Sequence, residues 1–152
     1  MDETTKAIIE KITLRSAAGV RYNLAALSPN DLARMAAEAI GDLPEGTFDV
    51  VLGVAYQGIV FAAAVAGGHP VAILQHDGAI HGPSVSGRRV LIVDDMFTGD
   101  DRLSGARAAV IAGGGTVIGG ACIVDSSESG MFEGRLPVWS AFQTKAIAEE
   151  KR

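Results

Sequence analysis

Four aspartates and one arginine fall between positions 94 and 102, in the run Val93-Asp94-Asp95-Met96-Phe97-Thr98-Gly99-Asp100-Asp101-Arg102. Adjacent carboxylates at the end of an apolar run are costly to bury without partners. Asp94 and Asp95 can receive a pair of ribose hydroxyls or a hard cation such as magnesium. The segment after them, from Thr98 and Gly99 to Arg102, can open a helix whose N–H groups face a phosphate. Two plainer readings stand beside this one. The pair can end a strand in solvent, and Asp100 and Asp101 can cap the next helix. A second loop, Val54-Ala55-Tyr56-Gln57-Gly58-Ile59, joins an apolar run to a helical one, and its plain reading is a tight turn. His69 and His76 lie near strand ends, where surface histidines outnumber ligands, and His81 is the better functional candidate. Cys122 lies between Ala121 and Ile123, a setting for packing rather than reactivity.

These residues need elements to hold them. Residues 89–93 are apolar from Val90 onward, as in a central parallel strand covered on both faces. Residues 48–54, 71–74, 116–124 and 138–142 read as further strands. Helices are expected over 57–66 and over 102–112, the latter closed by Gly113-Gly114-Gly115. A short amphipathic helix is expected over 2–12, with Ala7, Ile8 and Ile12 on its apolar side. Ser28-Pro29-Asn30-Asp31 reads as a helix start, and that helix runs to Ile40 before Gly41. Strands alternating with helices predict a single α/β domain over residues 1–152, a mostly parallel twisted sheet flanked by helices. Right-handed crossovers then place Tyr56 and the Asp94-Asp95 pair on the same edge of the sheet.

Composition narrows the function. The chain of 152 residues carries a formal net charge of −5, a poor match for nucleic acid or an anionic membrane. One cysteine excludes an intramolecular disulfide and a cysteine-based zinc site, and fits a cytoplasmic protein. The most apolar stretch, 58–74, is interrupted by Gly67, Gly68, His69 and Pro70, and neither half reaches the ~20 residues of a membrane span. The polar N-terminus, Met1-Asp2-Glu3-Thr4-Thr5-Lys6, has no signal-peptide pattern.

The run Arg89-Val90-Leu91-Ile92-Val93-Asp94-Asp95-Met96-Phe97-Thr98-Gly99 resembles the phosphoribosyl pyrophosphate signature of type I phosphoribosyltransferases. That signature is an apolar strand, two acids, two variable residues and a Thr- and Gly-rich loop. Thr13-Leu14-Arg15-Ser16, Ala55-Tyr56-Gln57-Gly58-Ile59, His81-Gly82 and Leu136-Pro137-Val138-Trp139-Ser140 resemble, in order, further motifs of the orotate phosphoribosyltransferases. The resemblance implies the type I phosphoribosyltransferase fold and a magnesium-dependent reaction moving a 5-phosphoribosyl group between phosphoribosyl pyrophosphate and a base. It implies that Asp94 and Asp95 hold the ribose and help the metal, and that Thr98, Gly99 and the residues through Arg102 hold the 5′-phosphate. Tyr56, Gln57, Gly58, Arg15 and His76 would lie on the pyrophosphate side, with Asp95 and His81 as the candidate catalytic groups. A homodimer is implied as well, with the 57–66 and 32–40 helices as its expected contacts.

The departures from that pattern share one sign. Asp100 and Asp101 stand where glycine is usual, and the stretch from Asp94 to Arg102 has a local formal charge of −3. Two negative groups about 4 Å apart repel by about 4 kcal/mol at an effective dielectric near 20, before discounting for solvent. Gln57 stands where the resembling family has lysine, Gln75 and His76 where it has an arginine–lysine pair, and Ala79 where it has a second lysine. Ser126 stands where an arginine contacts the orotate carboxylate. Cations stabilise a departing pyrophosphate, and an imidazole supplies one only in mild acid. The expectation is therefore a binding role toward a nucleotide, sugar phosphate or metal, with weak or absent transfer. The alternative is an active transferase.

Overall fold

Ser28 accepts the N–H of Asp31 and Asp31 returns a bond to the Ser28 N–H, a reciprocal cap that starts the helix at Pro29. Asp2 likewise accepts the N–H of Thr5 at the start of the first helix. The computed structural model describes residues 2–99, 102–133 and 135–144. In chain order it contains α1 (Glu3–Ile12), β1 (Thr13–Ser16), β2 (Gly19–Tyr22), a 3-10 turn (Leu24–Ala26), α2 (Pro29–Ile40), β3 (Val50–Val54) and α3 (Gln57–Ala66). There follow β4 (Val71–Leu74), β5 (Ile80–His81), β6 (Arg89–Val93), β7 (Met96–Phe97), α4 (Arg102–Ala112), β8 (Thr116–Asp125), β9 (Met131–Phe132) and β10 (Leu136–Gln143).

The main sheet runs β5-β4-β3-β6-β8-β10-β9, with β7 also paired to β8. Strands β4, β3, β6, β8 and β10 are mutually parallel, and β5 and β9 are short antiparallel edges. The expected α/β architecture is therefore present, and the five longer strands fall where the apolar runs placed them. Strand β6 is central because Val90–Val93 have almost no solvent exposure on either face. Burying each such side chain contributes roughly 1.5–3 kcal/mol, so a charge at Ile92 would break the sheet before it altered any surface.

Val51, Leu91 and Val93 point into one core with α1, α2 and α3, and Leu52, Val90 and Ile92 into a second core with α4. The alternation along β3 and β6 is the two-residue period of a strand covered on both sides. Met35, Ala36 and Ala39 of α2 are spent in the first core, so that apolar stripe is not free for assembly. Helix α3 leaves Val60 46% exposed.

Residues 13–26 form a separate layer. β1 and β2 pair only with each other, Thr13 opposite Tyr22 and Ser16 opposite Gly19. Their base is fixed to the body: Leu24 is buried in the first core, Ala26 packs against it, the Asn23 N–H bonds Ile12 O of α1 at 2.8 Å, and Tyr22 sets its ring edge-on to Phe142 at 6.1 Å. No helix among the described residues is long and apolar enough to cross a membrane.

Candidate functional site: the acid pair and its neighbouring cleft

Parallel pairing of β3 with β6, Gly53 opposite Val93, brings the loops after both strands to one edge. Asp94 follows β6 and is 1% exposed. Its Oδ1 accepts the Asp95 N–H at 2.8 Å, and its Oδ2 lies 3.3 Å from an Arg102 guanidinium nitrogen. That Oδ2 contact is an ion pair without good hydrogen-bond alignment, since the oxygen makes no hydrogen bond among the described groups. Burial pushes the Asp94 carboxyl up to about 8, with Asp95 beside it adding to the rise and Arg102 opposing it. Asp95 is only partly buried and accepts the Met96 N–H through Oδ1 at 2.9 Å.

Thr98 and Gly99 follow β7 on the exposed rim, Gly99 with φ of 84°. Arg102 opens α4 with its side chain 48% exposed. Asp100 and Asp101 lie outside the described residues.

The opposite wall comes from β3 and α3. The Ala55–Tyr56 peptide is cis. Tyr56 is 70% exposed, and its ring meets His76 edge-on at 4.7 Å. Gly58 presses against Val93 and Asp94. Gln57, expected on the pyrophosphate side, uses Oε1 to accept the Leu24 N–H at 3.3 Å.

Beside the acid pair, which does not itself line it, is a cleft of about 390 Å³, lined by Val54, Ala55, Leu74, Gln75, His76 and Gly78 on one side and by the start of α4, including Arg102, on the other. The β4–β5 turn that borders it is tied by Gln75 N–H to Ala79 O, Gly78 N–H to Gln75 O and Ala79 N–H to Asp77 Oδ1. His81 is exposed on β5 opposite Ile73 and does not line the cleft. Arg15 is exposed on the β1–β2 hairpin, opposite Val20. Fold and pairing thus bring Asp94, Asp95, Arg102, Tyr56, Gly58 and His76 to one edge, leaving His81 on the outer edge strand and Arg15 in the separate layer. No group of three or more His, Cys, Asp or Glu side chains converges as a metal cage among the described residues.

One acid at this edge escaped the motif reading. Asp125 ends β8, is 1% exposed, and takes the Ser127 N–H and O–H on Oδ1 at 2.8 and 2.6 Å. Its only sequence signal is its place at the end of the apolar 116–124 run. Ser126 donates its hydroxyl to the Phe97 carbonyl at 3.2 Å. Cys122 is buried, and burial pushes its thiol well up, as packing in a core strand requires.

Comparison with known proteins places this edge in context. No protein-family model matches the chain. It is 32% identical to an orotate phosphoribosyltransferase of Nocardioides over 111 residues, covering 67% of this chain and 62% of that protein. It is 32% identical to the orotate phosphoribosyltransferase of Pyrobaculum islandicum over 92 residues, covering 55% and 48%. The chain thus spans about half to three fifths of the length of these curated relatives. In structure it resembles the orotate phosphoribosyltransferase of Aeropyrum pernix, with a TM-score of 0.76, 19% identity, and 97% and 98% coverage of the two chains. It also resembles that of Mycobacterium tuberculosis in complex with inorganic phosphate, with a TM-score of 0.72, 22% identity and 96% coverage of each. The same enzyme in complex with 5-phospho-alpha-D-ribosyl 1-diphosphate gives a TM-score of 0.69, 24% identity, and 95% and 89% coverage. The fold is that of the type I phosphoribosyltransferases. In sequence the chain is similar to orotate phosphoribosyltransferases over the stretches given above.

Proposed function

We propose that the protein binds a 5′-phosphorylated ribose ligand, such as a nucleoside monophosphate, at the Asp94–Arg102 edge, with little or no phosphoribosyl transfer. Asp94 and Asp95 would receive the ribose hydroxyls, and Thr98, Gly99 and the start of α4 the phosphate. The phosphate-bound and diphosphate-bound relatives support a small phosphorylated ligand.

The observation that carries the non-catalytic reading is the charge of the cleft. Among the described residues Arg102 is the only Lys or Arg in its lining, and it already faces the buried Asp94. Gln75 and Ala79, where the family resemblance implies cations, offer none. Losing one well-placed electrostatic donor typically costs ~10²–10³ in rate. Magnesium fits as an ion that arrives with the ligand's oxygens. Asp94 Oδ1 and Asp95 Oδ1 already accept backbone N–H groups and Asp94 Oδ2 faces the Arg102 guanidinium, which leaves Asp95's second carboxylate oxygen as the fitting donor. Such an ion would supply positive charge beside the ligand's oxygens. A homodimer would use the exposed Val60 side of α3, and light scattering reports it.

The test compares thermal shifts with uridine monophosphate and with phosphoribosyl pyrophosphate plus magnesium, alongside pyrophosphate release with orotate. The reading expects a shift with the monophosphate and no turnover. Release at the usual ~1–10³ per second would establish the alternative, an active transferase.

A further inference from the structure

Gln57 occupies the first position of α3, where the motif resemblance implied a lysine facing pyrophosphate. Its side chain is committed elsewhere. Oε1 accepts the N–H of Leu24 at 3.3 Å, and Leu24 is 2% exposed at the start of the 3-10 turn that follows the β1–β2 hairpin. That hairpin pairs with no strand of the main sheet. Behind it, the Asn23 N–H reaches back to Ile12 O at 2.8 Å, which ties the layer to α1. Among the described residues, Gln57 to Leu24 is the one hydrogen bond that joins residues 13–26 to the main sheet or to α2, α3 or α4.

The chemistry of this contact discriminates between side chains. A backbone N–H needs an acceptor, which a glutamine or glutamate provides and a lysine ammonium does not. A lysine at position 57 would take away this acceptor and set a cation beside the Leu24 N–H in a part-buried contact. A further contact of the layer is the edge-on meeting of Tyr22 with Phe142 near the end of β10. The segment is thus held at the start of α3 through Leu24 and near the end of β10 through Tyr22, and its hairpin carries Arg15 on the same face as Tyr22.

We infer that Gln57 is a positioning residue that clamps the Arg15-bearing hairpin over the ligand edge through Leu24, rather than a group of the pyrophosphate side. The clamp itself belongs to the unliganded chain. Only its effect on ligand affinity rests on the function proposed above.

The test is amide hydrogen exchange on the unliganded protein in four forms: unchanged, Gln57→Glu, Gln57→Ala and Gln57→Lys. Gln57→Ala and Gln57→Lys are expected to speed exchange at Leu24 and across residues 13–22 by about tenfold relative to the amides of β6. Gln57→Glu keeps an acceptor and stays near the unchanged protein. Uridine monophosphate binding weakens several-fold in the alanine and lysine forms, and pyrophosphate binding does not tighten in the lysine form. An unchanged ratio of hairpin to β6 exchange in the alanine and lysine forms overturns the inference. So does a glutamate form that exchanges like alanine, or a lysine form that gains pyrophosphate affinity with the hairpin as protected as before. If uridine monophosphate binds no form, the proposed ligand is wrong, and the exchange ratios alone decide the clamp.

Discussion

Gly58 stands directly against Asp94: a Cβ on Gly58 would lie 2.7 Å from the Val93 carbonyl oxygen, 3.0 Å from Asp94 Cα and 3.3 Å from Asp94 Oδ1. Two of those neighbours are backbone atoms of the central strand and its exit, which cannot swing aside. The start of α3 and the end of β6 thus approach as closely as they do because position 58 has no side chain. Gly58→Ala should cost about 1–3 kcal/mol through overpacking, read by denaturant unfolding. It should also weaken uridine monophosphate binding, because the strain falls on the acid pair. A variant as stable as the parent would mean that α3 can shift without disturbing Asp94.

The Asp94 carboxyl predicts a pH dependence of stability. Its folded-state pKa is raised to about 8 from an ordinary value of 3.8, chiefly by burial. Between those values the folded chain holds a proton that the unfolded chain releases. Its contribution is fully present below about pH 4 and is lost as pH rises through about 8. Asp94→Asn keeps an oxygen for the Asp95 N–H and removes the titration. The variant should gain on the order of 1–3 kcal/mol relative to the parent at pH 8.5, and the gain should shrink toward pH 4. Melting curves across that range measure it, and parallel curves for the two proteins would place the raised carboxyl elsewhere.

Arg102 acts on the same carboxyl with the opposite sign. Its guanidinium lies 3.3 Å from Asp94 Oδ2 but is half in solvent, which discounts the pairing. Arg102→Gln should therefore cost about 1 kcal/mol near pH 8.5 and almost nothing at pH 5, where Asp94 holds its proton. The same change should weaken phosphate binding at the start of α4. A stability loss that is equal at both pH values would point to the packing of the arginine stem instead.

How much of this was legible depended on what each residue does to its neighbours. Residues 90–93 declared themselves by lacking any polar position, and the adjacent acids after them marked the edge where such a strand must end. The β1–β2 hairpin left no such trace, because β1 is exposed beyond Thr13 and β2 exposed until Tyr22, so neither alternates. Strands β5, β7 and β9 are two residues each, shorter than any periodicity can register. In the site, Asp94 was readable because an acid beside an acid is conspicuous. Asp125 was not, because one aspartate followed by serines looks like any loop. The Gln57 contact was not readable for another reason: its partner Leu24 is 33 residues away in the chain.

The cleft wall at residues 75–79 is a closed turn whose backbone bonds leave the Gln75 and Ala79 side chains free of that network. Ala79 is exposed and Gln75 partly so. Lysines placed at both positions should therefore be tolerated by the fold, with stability changes within about 0.5 kcal/mol. Each cation near an anion at an effective dielectric of about 20 gains up to roughly 4 kcal/mol at 4 Å, much of it lost to solvent and salt at so open a site. Gln75→Lys with Ala79→Lys should tighten pyrophosphate binding by ten- to a hundredfold at low ionic strength, on the order of 1.4 kcal/mol per factor of ten. The gain should fade as salt is raised. Calorimetric titration with pyrophosphate, in the parent and the double variant, measures it directly. An unchanged affinity would mean that the shape of the closed β4–β5 turn, and not the charge of its side chains, keeps pyrophosphate out.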